Sequence, residues 1–324
     1  MSNLKVVEAE RSSDLGRLIA SQLNTSLIKI KMNNFADSES SIVFDQSEDF
    51  KNSDVLFVHK FFSVVYSGNI DHHFINSQIY EMILALDFVK SNGAKRIIAL
   101  IPYLPYVRQD KRQSDNYSGP FALFTKLLKE VGVDFILACD LHSLAAFSIS
   151  AVTLENISLA GFWESVITKY VISREKKDNL CIVSPDQGGL ERARMIASAL
   201  GIDLAFVKKS RVATDYAVAR EIDGNVKGKV VLLVDDIIDT ARTATGACDL
   251  LLEAGATKVL GFFSHAVLST GSQERLVQGR FESIFIADTI SYGSAGLHEK
   301  FKLLTVNEFL CGRVRVLIDK ISKN

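Results

Sequence analysis

The chain has 324 residues, 48% of them hydrophobic and 23% charged, and a formal net charge of −1. That length allows two domains of ordinary size or one large one, and the composition suits a globular chain with full cores. The near-zero balance argues against nucleic acid as a main partner, which favours a strongly basic face, but leaves small anions open to local basic clusters.

The N-terminus, MSNLK, has no apolar segment of signal-peptide type. The longest apolar runs, 97–101 and 230–234, are strand-sized and too short to span a bilayer. The expectation is a cytoplasmic chain with no membrane partner. Asn24, Asn116 and Asn156 head N-x-S/T triplets that read as chance matches in such a chain. Cys139, Cys181, Cys248 and Cys311 are far apart in apolar surroundings, without metal-ligand or redox spacing, and read as buried free thiols.

In chain order, the pattern predicts a helix over 76–91, closed by Asn92-Gly93, then a strand RIIALI at 96–101. A helix over 120–131 ends at Gly132 and leads to the strand FILAC at 135–139. The second half repeats the alternation: strand LCIV at 180–183, helix 190–200, a strand-like LAFV, then strand VVLLV at 230–234 and helix 245–254. Strand 259–263, helix 271–279 and a candidate strand SIFIA at 283–287 complete it. Continuous apolar strands are covered on both faces, which implies parallel sheets flanked by helices. SNGAKRIIAL, EVGVDFILAC and EAGATKVLGF share one helix–Gly–x–strand form. The expectation is therefore two α/β halves of similar design, each a doubly wound parallel sheet. The boundary falls near 151–161, giving domains 1–155 and 156–324.

The strongest chemical signal is VVLLVDDIIDTARTAT at 230–245. A buried strand runs into adjacent carboxylates, Asp235 and Asp236, followed by Asp239 and a helix expected to begin near Thr243. Ligands of open α/β sheets bind at the carboxyl ends of strands. A helix start offers unpaired N–H groups and a positive dipole end to a phosphate, and Thr240 and Thr243 add hydroxyl donors. Adjacent carboxylates repel, and a sugar's vicinal hydroxyls are natural partners for them. Phosphate grip and diol grip in one loop describe a pentose-phosphate site. The plain alternative is a solvated acidic turn capping a helix.

Other motifs sit where strands exit. Arg108 and Gln109, with Asp110, follow IIALIPYLPYV, and a guanidinium fork suits a polyphosphate; alone, RQDKR reads equally as a solvated loop. His142 follows FILAC within DLH, and Asp186 follows LCIV, ahead of Gly188-Gly189 that lets backbone approach a ligand. The other histidines read as surface or structural. Lys209 and Arg211, in FVKKSR, read from spacing alone as an ordinary basic turn.

This ordered set resembles the ribose-phosphate diphosphokinases over almost the whole chain. DDIIDTA resembles the sugar loop they share with type I phosphoribosyltransferases, while RQDK, DLHS, SPDQGGLERAR and SHAVLSTGSQERL separate the two families. The resemblance implies two phosphoribosyltransferase-type domains with the active site between them. It implies ATP contacts from Arg108, Gln109, Asp110, Phe35, Asp37 and Glu39, and Mg²⁺ held by His142 and Asp186. It assigns Asp235, Asp236, Asp239, Thr240, Ala241, Arg242 and Thr243 to ribose 5-phosphate. Lys209 and Arg211, on a mobile loop in the family, would balance transition-state charge. It also implies a homo-oligomer, a hexamer built of dimers, with the Phe35 corner reaching a neighbour's ATP.

Two departures stand out. Ser38 and Arg242 stand where the family usually has glycine. If position 242 needs positive φ, Arg242 carries about 1–2 kcal/mol of strain. The stretch QSDNYSG after RQDK lacks the basic residues with which relatives bind effector anions, which implies weak dependence on phosphate. A phosphoribosyltransferase and a non-catalytic regulatory paralogue remain the rival readings.

Overall fold

The computed structural model describes residues 3–9, 14–37, 39–44, 49–63, 65–66, 69–70, 74–109, 119–211, 218–292 and 297–323. Ser38, Asp110 and the stretch 111–118, on which the phosphate expectation rests, lie outside the described residues.

The first half contributes strands β1 (Leu4–Ala9), β2 (Leu27–Asn34), β3 (Ser40–Phe44) and β4 (Asp54–Val58), the two-residue strands β5 (Phe62–Ser63), β6 (Val65–Tyr66) and β7 (Asn69–Ile70), then β8 (Arg96–Leu100), β9 (Phe135–Cys139) and β10 (Thr153–Ile157). Its helices are α1 (Leu15–Gln22), α2 (Phe74–Ser91), α3 (Pro120–Glu130) and α4 (Ala145–Ile149). The second half has β11 (Leu180–Ser184), β12 (Asp203–Arg211), β13 (Val218–Asp223), β14 (Val230–Ile238), β15 (Lys258–Ala266), β16 (Ser283–Ala287), β17 (Ser291–Tyr292) and β18 (Phe301–Leu304). Its helices are α5 (Ala160–Ile167), α6 (Leu190–Leu200), α7 (Arg242–Glu253), α8 (Ser272–Gln278) and α9 (Asn307–Lys323).

Two seven-stranded sheets result, ordered β10-β9-β8-β4-β1-β2-β3 and β13-β12-β11-β14-β15-β16-β18. Counted within itself, each sheet has the same strand order, 3-2-1-4-5-6-7. Neighbours are parallel except for one antiparallel edge hairpin in each, β2–β3 and β12–β13. The order reverses between β1 and β4 in one sheet and between β11 and β14 in the other. Such a reversal splays the connections to opposite faces and opens a crevice at the strand ends.

One face of each sheet shares a single core. Val6, Leu56 and Ile98 of the first sheet join Ile182, Leu232 and Phe262 of the second, with Trp163 and residues of α1, α5, α6 and α9 between them. The outer faces have separate cores, one including α2 and α3 and the other α7 and α8. Arg96 Nη1–H donates to the Ile321 carbonyl at 2.9 Å, tying α9 back to the first sheet. The four cysteines are free and buried, as their apolar settings imply.

Several elements run longer than their apolar stretches predict. β14 continues through Asp235 and Asp236 because β15 keeps pairing with it, Asp235 opposite Phe263 and Ile237 opposite His265. α7 begins at Arg242, one residue before the start expected near Thr243 and three before the apolar stretch 245–254. β12 likewise runs through Lys209 and Arg211, whose backbones pair with Arg220 and Val218 of β13, so both belong to an edge hairpin rather than a loop. Residues 212–217 lie outside the described residues.

Candidate active site

The β11/β14 reversal opens into a cleft of about 740 Å³ lined from both halves, by Arg108, Gln109, His142 and Asn156 of the first and Asp186, Arg192, Asp235, Asp236 and Asp239 of the second. At the end of β11, Asp186 Oδ1 accepts the backbone N–H groups of Gly188 and Gly189 at 2.9 and 3.2 Å. This turn starts α6 without a side-chain cap. A Cβ at Gly189 would lie 2.7 Å from Ser184 Oγ and 3.4 Å from Asp235 Oδ1, so the bare backbone is what lets the two strand ends converge.

At the end of β14 the paired carboxylates separate into two environments. Asp236 is 6% exposed, with Oδ2 2.8 Å from His142 Nδ1 and Oδ1 accepting from Arg192 Nη1 at 3.3 Å. Burial alone would raise its carboxyl, but the His142 hydrogen bond and the Arg192 charge outweigh that and hold it well below the usual range. Asp235 is pushed the other way, first by burial and then by the charge of Asp236.

Asp140 ends β9 with φ +34° and is buried among donors. It accepts from Leu159 N–H at 2.9 Å and from Ser264 Oγ–H at 2.5 Å, while Trp163 Nε1–H donates to Ser264 Oγ at 3.0 Å. Asn156 has a structural role, its Oδ1 accepting Leu141 N–H at 3.0 Å. His265 is also structural: it is buried, with Nδ1 2.8 Å from Thr289 Oγ1 and Nε2 3.0 Å from the Cys139 carbonyl. His142, by contrast, is 44% exposed.

The loop after β14 turns at Ala241, whose φ is +63°, and α7 then starts with no side-chain cap on its first-turn N–H groups. The left-handed residue is Ala241 and not Arg242, so the expected strain at Arg242 does not arise. Thr240, Ala241 and Thr243 line the cleft, whereas Arg242 is exposed and outside that lining. Asp239 accepts from Ser269 Oγ–H and, at Oδ2, from Arg108 Nη1–H at 2.6 Å. Tyr106, Asp140, Ala241 and Leu268, all non-glycine residues with positive φ, stand in or beside these loops. Such conformations cost of order 1–3 kcal/mol each and gather where geometry serves function.

The structure thus gathers Arg108, Gln109, His142, Asp186, Asp235, Asp236, Asp239, Thr240, Ala241 and Thr243 into one cleft. The corner of Phe35, Asp37 and Glu39 is a local turn outside it, with Glu39 N–H donating to Asp37 Oδ1 at 3.0 Å and Phe35 61% exposed. Arg192 is the site residue that sequence reasoning missed. Its signals in sequence are its place within SPDQGGLERAR and its position near the start of α6, beside the Gly188-Gly189 turn.

Comparison with known proteins bears on this geometry. A family model described as the N-terminal domain of ribose phosphate pyrophosphokinase matches residues 4–132, and a phosphoribosyl transferase domain model matches residues 166–285. A ribose-phosphate pyrophosphokinase of Chlorobaculum tepidum is 32% identical, over 89% of this chain and 84% of its own length. The chain belongs to the ribose-phosphate pyrophosphokinase family. Another family member, the chloroplastic ribose-phosphate pyrophosphokinase 2 of rice (Oryza sativa subsp. japonica), is 33% identical over 94% of this chain and 72% of its own. The solved phosphoribosylpyrophosphate synthetase of Mycobacterium smegmatis matches with a TM-score of 0.82 at 27% identity, covering 98% of this chain and 99% of that one. Because one such relative is named chloroplastic, family membership fixes no compartment. Among the described residues no helix is long and apolar enough to cross a membrane.

The family resemblance implies Mg²⁺, and the donor set can be tested for it. Among the described residues no group of three or more His, Cys, Asp or Glu side chains is placed to hold a metal ion. His142 and Asp186 line the same cleft. Mg²⁺ keeps several waters and binds through one or two carboxylates plus substrate phosphates. The Asp186 carboxylate fits that habit, whereas the His142 imidazole is the less usual partner for a metal that prefers oxygen.

Proposed function

We propose that the chain transfers the β,γ-diphosphoryl group of ATP to the 1-hydroxyl of ribose 5-phosphate, giving phosphoribosyl diphosphate and AMP. What carries this reading is that Arg108, from the segment assigned to ATP, meets Asp239, from the sugar loop, within one cleft at a strand-order reversal. Donor and acceptor sites that share a carboxylate–guanidinium contact are close enough for direct transfer.

In this reading Asp235 and Asp239 receive the ribose hydroxyls, and Asp236 braces them from behind through His142 and Arg192. The uncapped start of α7, with Thr240, Ala241 and Thr243, takes the 5-phosphate. Arg108 and Gln109, with Asp110, take the ATP phosphates. The 1-hydroxyl oxygen attacks the β-phosphorus in line, and the bond from that phosphorus to the α,β-bridging oxygen breaks. AMP leaves with the bonding electrons, and the hydroxyl proton passes to solvent; no covalent enzyme intermediate is required. Lys209 and Arg211 balance charge developing on the phosphoryl oxygens. His142 and Asp186 would hold Mg²⁺, which supplies charge neutralisation on the phosphates. Phe35, exposed and outside its own cleft, serves the adenine of a neighbouring copy in a homo-oligomer.

A phosphoribosyltransferase reading has no ATP for the Arg108–Gln109 segment to hold. The paralogue reading, which rests on Arg242 and Ser38, loses the first of these supports, because Arg242 does not occupy the left-handed position. Purified protein should release AMP only when ATP, Mg²⁺ and ribose 5-phosphate are all present. ADP as the product, or AMP release independent of the sugar, would overturn the reading.

A further inference from the structure

Arg192 projects from α6 between the two sheets' contributions to the cleft, with its side chain 11% exposed. Nη1 is 3.3 Å from Asp236 Oδ1 and 3.9 Å from Asp235 Oδ1, and Nε is 3.7 Å from Asp140 Oδ2. One guanidinium therefore faces three carboxylates, one at the end of β9 and two in β14. The β9 carboxylate is the fixed one. Leu159 N–H and Ser264 Oγ–H hold Asp140, and Trp163, at the centre of the shared core, holds Ser264. The β14 carboxylates are adjacent and repel when both are charged, and Arg192 is the cation that faces both.

We infer that Arg192 is a positioning residue for the sugar: it registers the Asp235–Asp236 pair against the anchored Asp140, so that the pair presents one geometry to the ribose diol. This rests on the proposed ribose site. A planar guanidinium can face several carboxylates at once, whereas an ammonium is a single point charge that satisfies one or two. A Cβ on Gly189 would stand 2.7 Å from Ser184 Oγ, with Asp235 Oδ1 at 3.4 Å and Arg192 Nη1 at 3.7 Å in ordinary contact, so a side chain there would crowd Ser184 beside this junction.

The test is calorimetric binding of ribose 5-phosphate and, separately, of Mg·ATP to the full chain and to Arg192→Lys, Arg192→Gln and Arg192→Ala. The lysine variant keeps the charge and loses the fork. It should fold and weaken ribose 5-phosphate on the order of 10–100-fold, the usual effect of removing a residue that orients a ligating group. Mg·ATP affinity should stay near that of the unmodified chain. Millimolar guanidinium should restore sugar affinity to Arg192→Ala, and sodium chloride at equal ionic strength should not. Unchanged sugar affinity in Arg192→Lys, or equal loss of both ligands, overturns the inference. So does failure of all three variants to fold, which would make Arg192 a determinant of the fold alone. If the unmodified chain does not bind ribose 5-phosphate, the ribose site and this inference both fall. If it binds and Arg192→Lys matches it, only the inference falls.

Discussion

Arg108 Nη1 lies 2.6 Å from Asp239 Oδ2, so an arginine of the first half occupies a carboxylate of the second half's sugar loop. The contact is partly open to solvent, with the arginine 46% and the aspartate 19% exposed. In the proposed function both partners have a substrate to serve: ATP phosphates would compete for the guanidinium and a ribose hydroxyl for the carboxylate, so substrates would exchange this contact for their own.

Asp239→Asn follows from this relationship. Losing the charge removes a charged hydrogen bond to the diol, worth about 1.5–3 kcal/mol, or roughly 10–100-fold in ribose 5-phosphate affinity. The same change releases Arg108, so ATP affinity should hold or tighten. Titration calorimetry with each substrate reads both effects, and parallel loss of the two would remove Asp239 from the sugar site.

Lys209→Ala and Arg211→Ala should each lower kcat on the order of 10²–10³-fold with little change in KM. Their backbones stand at the end of β12, beyond the last parallel pairing of that strand. A change confined to KM would make either residue a ground-state binder of phosphate.

Lys60 and Asp288 make another contact between the halves, Nζ to Oδ2 at 3.0 Å, with the lysine side chain fully buried and also donating to Asn307 Oδ1 at 3.2 Å. Burial pulls the lysine's pKa down and Asp288 opposes it. Asp288→Asn leaves a buried ammonium without its counter-ion and should cost about 3–5 kcal/mol. Adding Lys60→Met should recover much of that loss. Denaturant unfolding of both singles and the double variant measures the coupling.

His59 gives the chain an acid-side limit. Both ring nitrogens are buried without a hydrogen-bond partner, between the rings of Phe57 and Phe61, and burial lowers its pKa from 6.5 to about 4. The unfolded chain therefore binds the proton more readily. Stability is complete above pH 6.5 and falls as the pH drops from 6.5 toward 4, by on the order of 2 kcal/mol between pH 7 and 5. His265, also lowered by burial, adds a loss of the same sign. In His59→Met the slope of unfolding free energy over that interval should be visibly smaller; an unchanged slope would assign the loss to His265 or to carboxylates.

Much of this was legible from sequence, for an identifiable reason. Strands covered on both faces read as unbroken apolar runs between glycines, so β9 and β16 fall where FILAC and SIFIA stand. The hairpin of β2 and the edge strand β3 is not legible because Lys29, Lys31, Asn33 and the serines of SSIVF mix polar residues into it. β14 was cut short at Val234 because the apolar run stops there, although pairing with β15 does not. The cleft's acids announced themselves by standing at strand ends. Arg192 and Lys60 did not, because the meaning of each charge lies in a distant partner, Asp236 at 44 positions and Asn307 at 247.

The arginine-for-glycine departure at 242 yields the last prediction. The left-handed turn is made at Ala241, at φ +63°, and Arg242 is the first residue of α7. A β-carbon in the left-handed region costs about 1–2 kcal/mol, partly offset because glycine adds freedom to the unfolded chain. Ala241→Gly should therefore stabilise the fold by roughly 0.5–1 kcal/mol. Arg242→Gly should do the reverse, because glycine in a helix costs up to about 1 kcal/mol and no strain is there to relieve. Since the Arg242 side chain is exposed and outside the cleft lining, Arg242→Ala should change ribose 5-phosphate affinity by less than about fivefold. Thr243→Ala, which removes a hydroxyl from the lining, should weaken it more. Opposite signs from glycine at adjacent positions are a demanding outcome, read by denaturant unfolding. If Arg242→Gly stabilised the chain instead, the left-handed residue would be Arg242, and the helix start that faces the 5-phosphate would be shifted by one position.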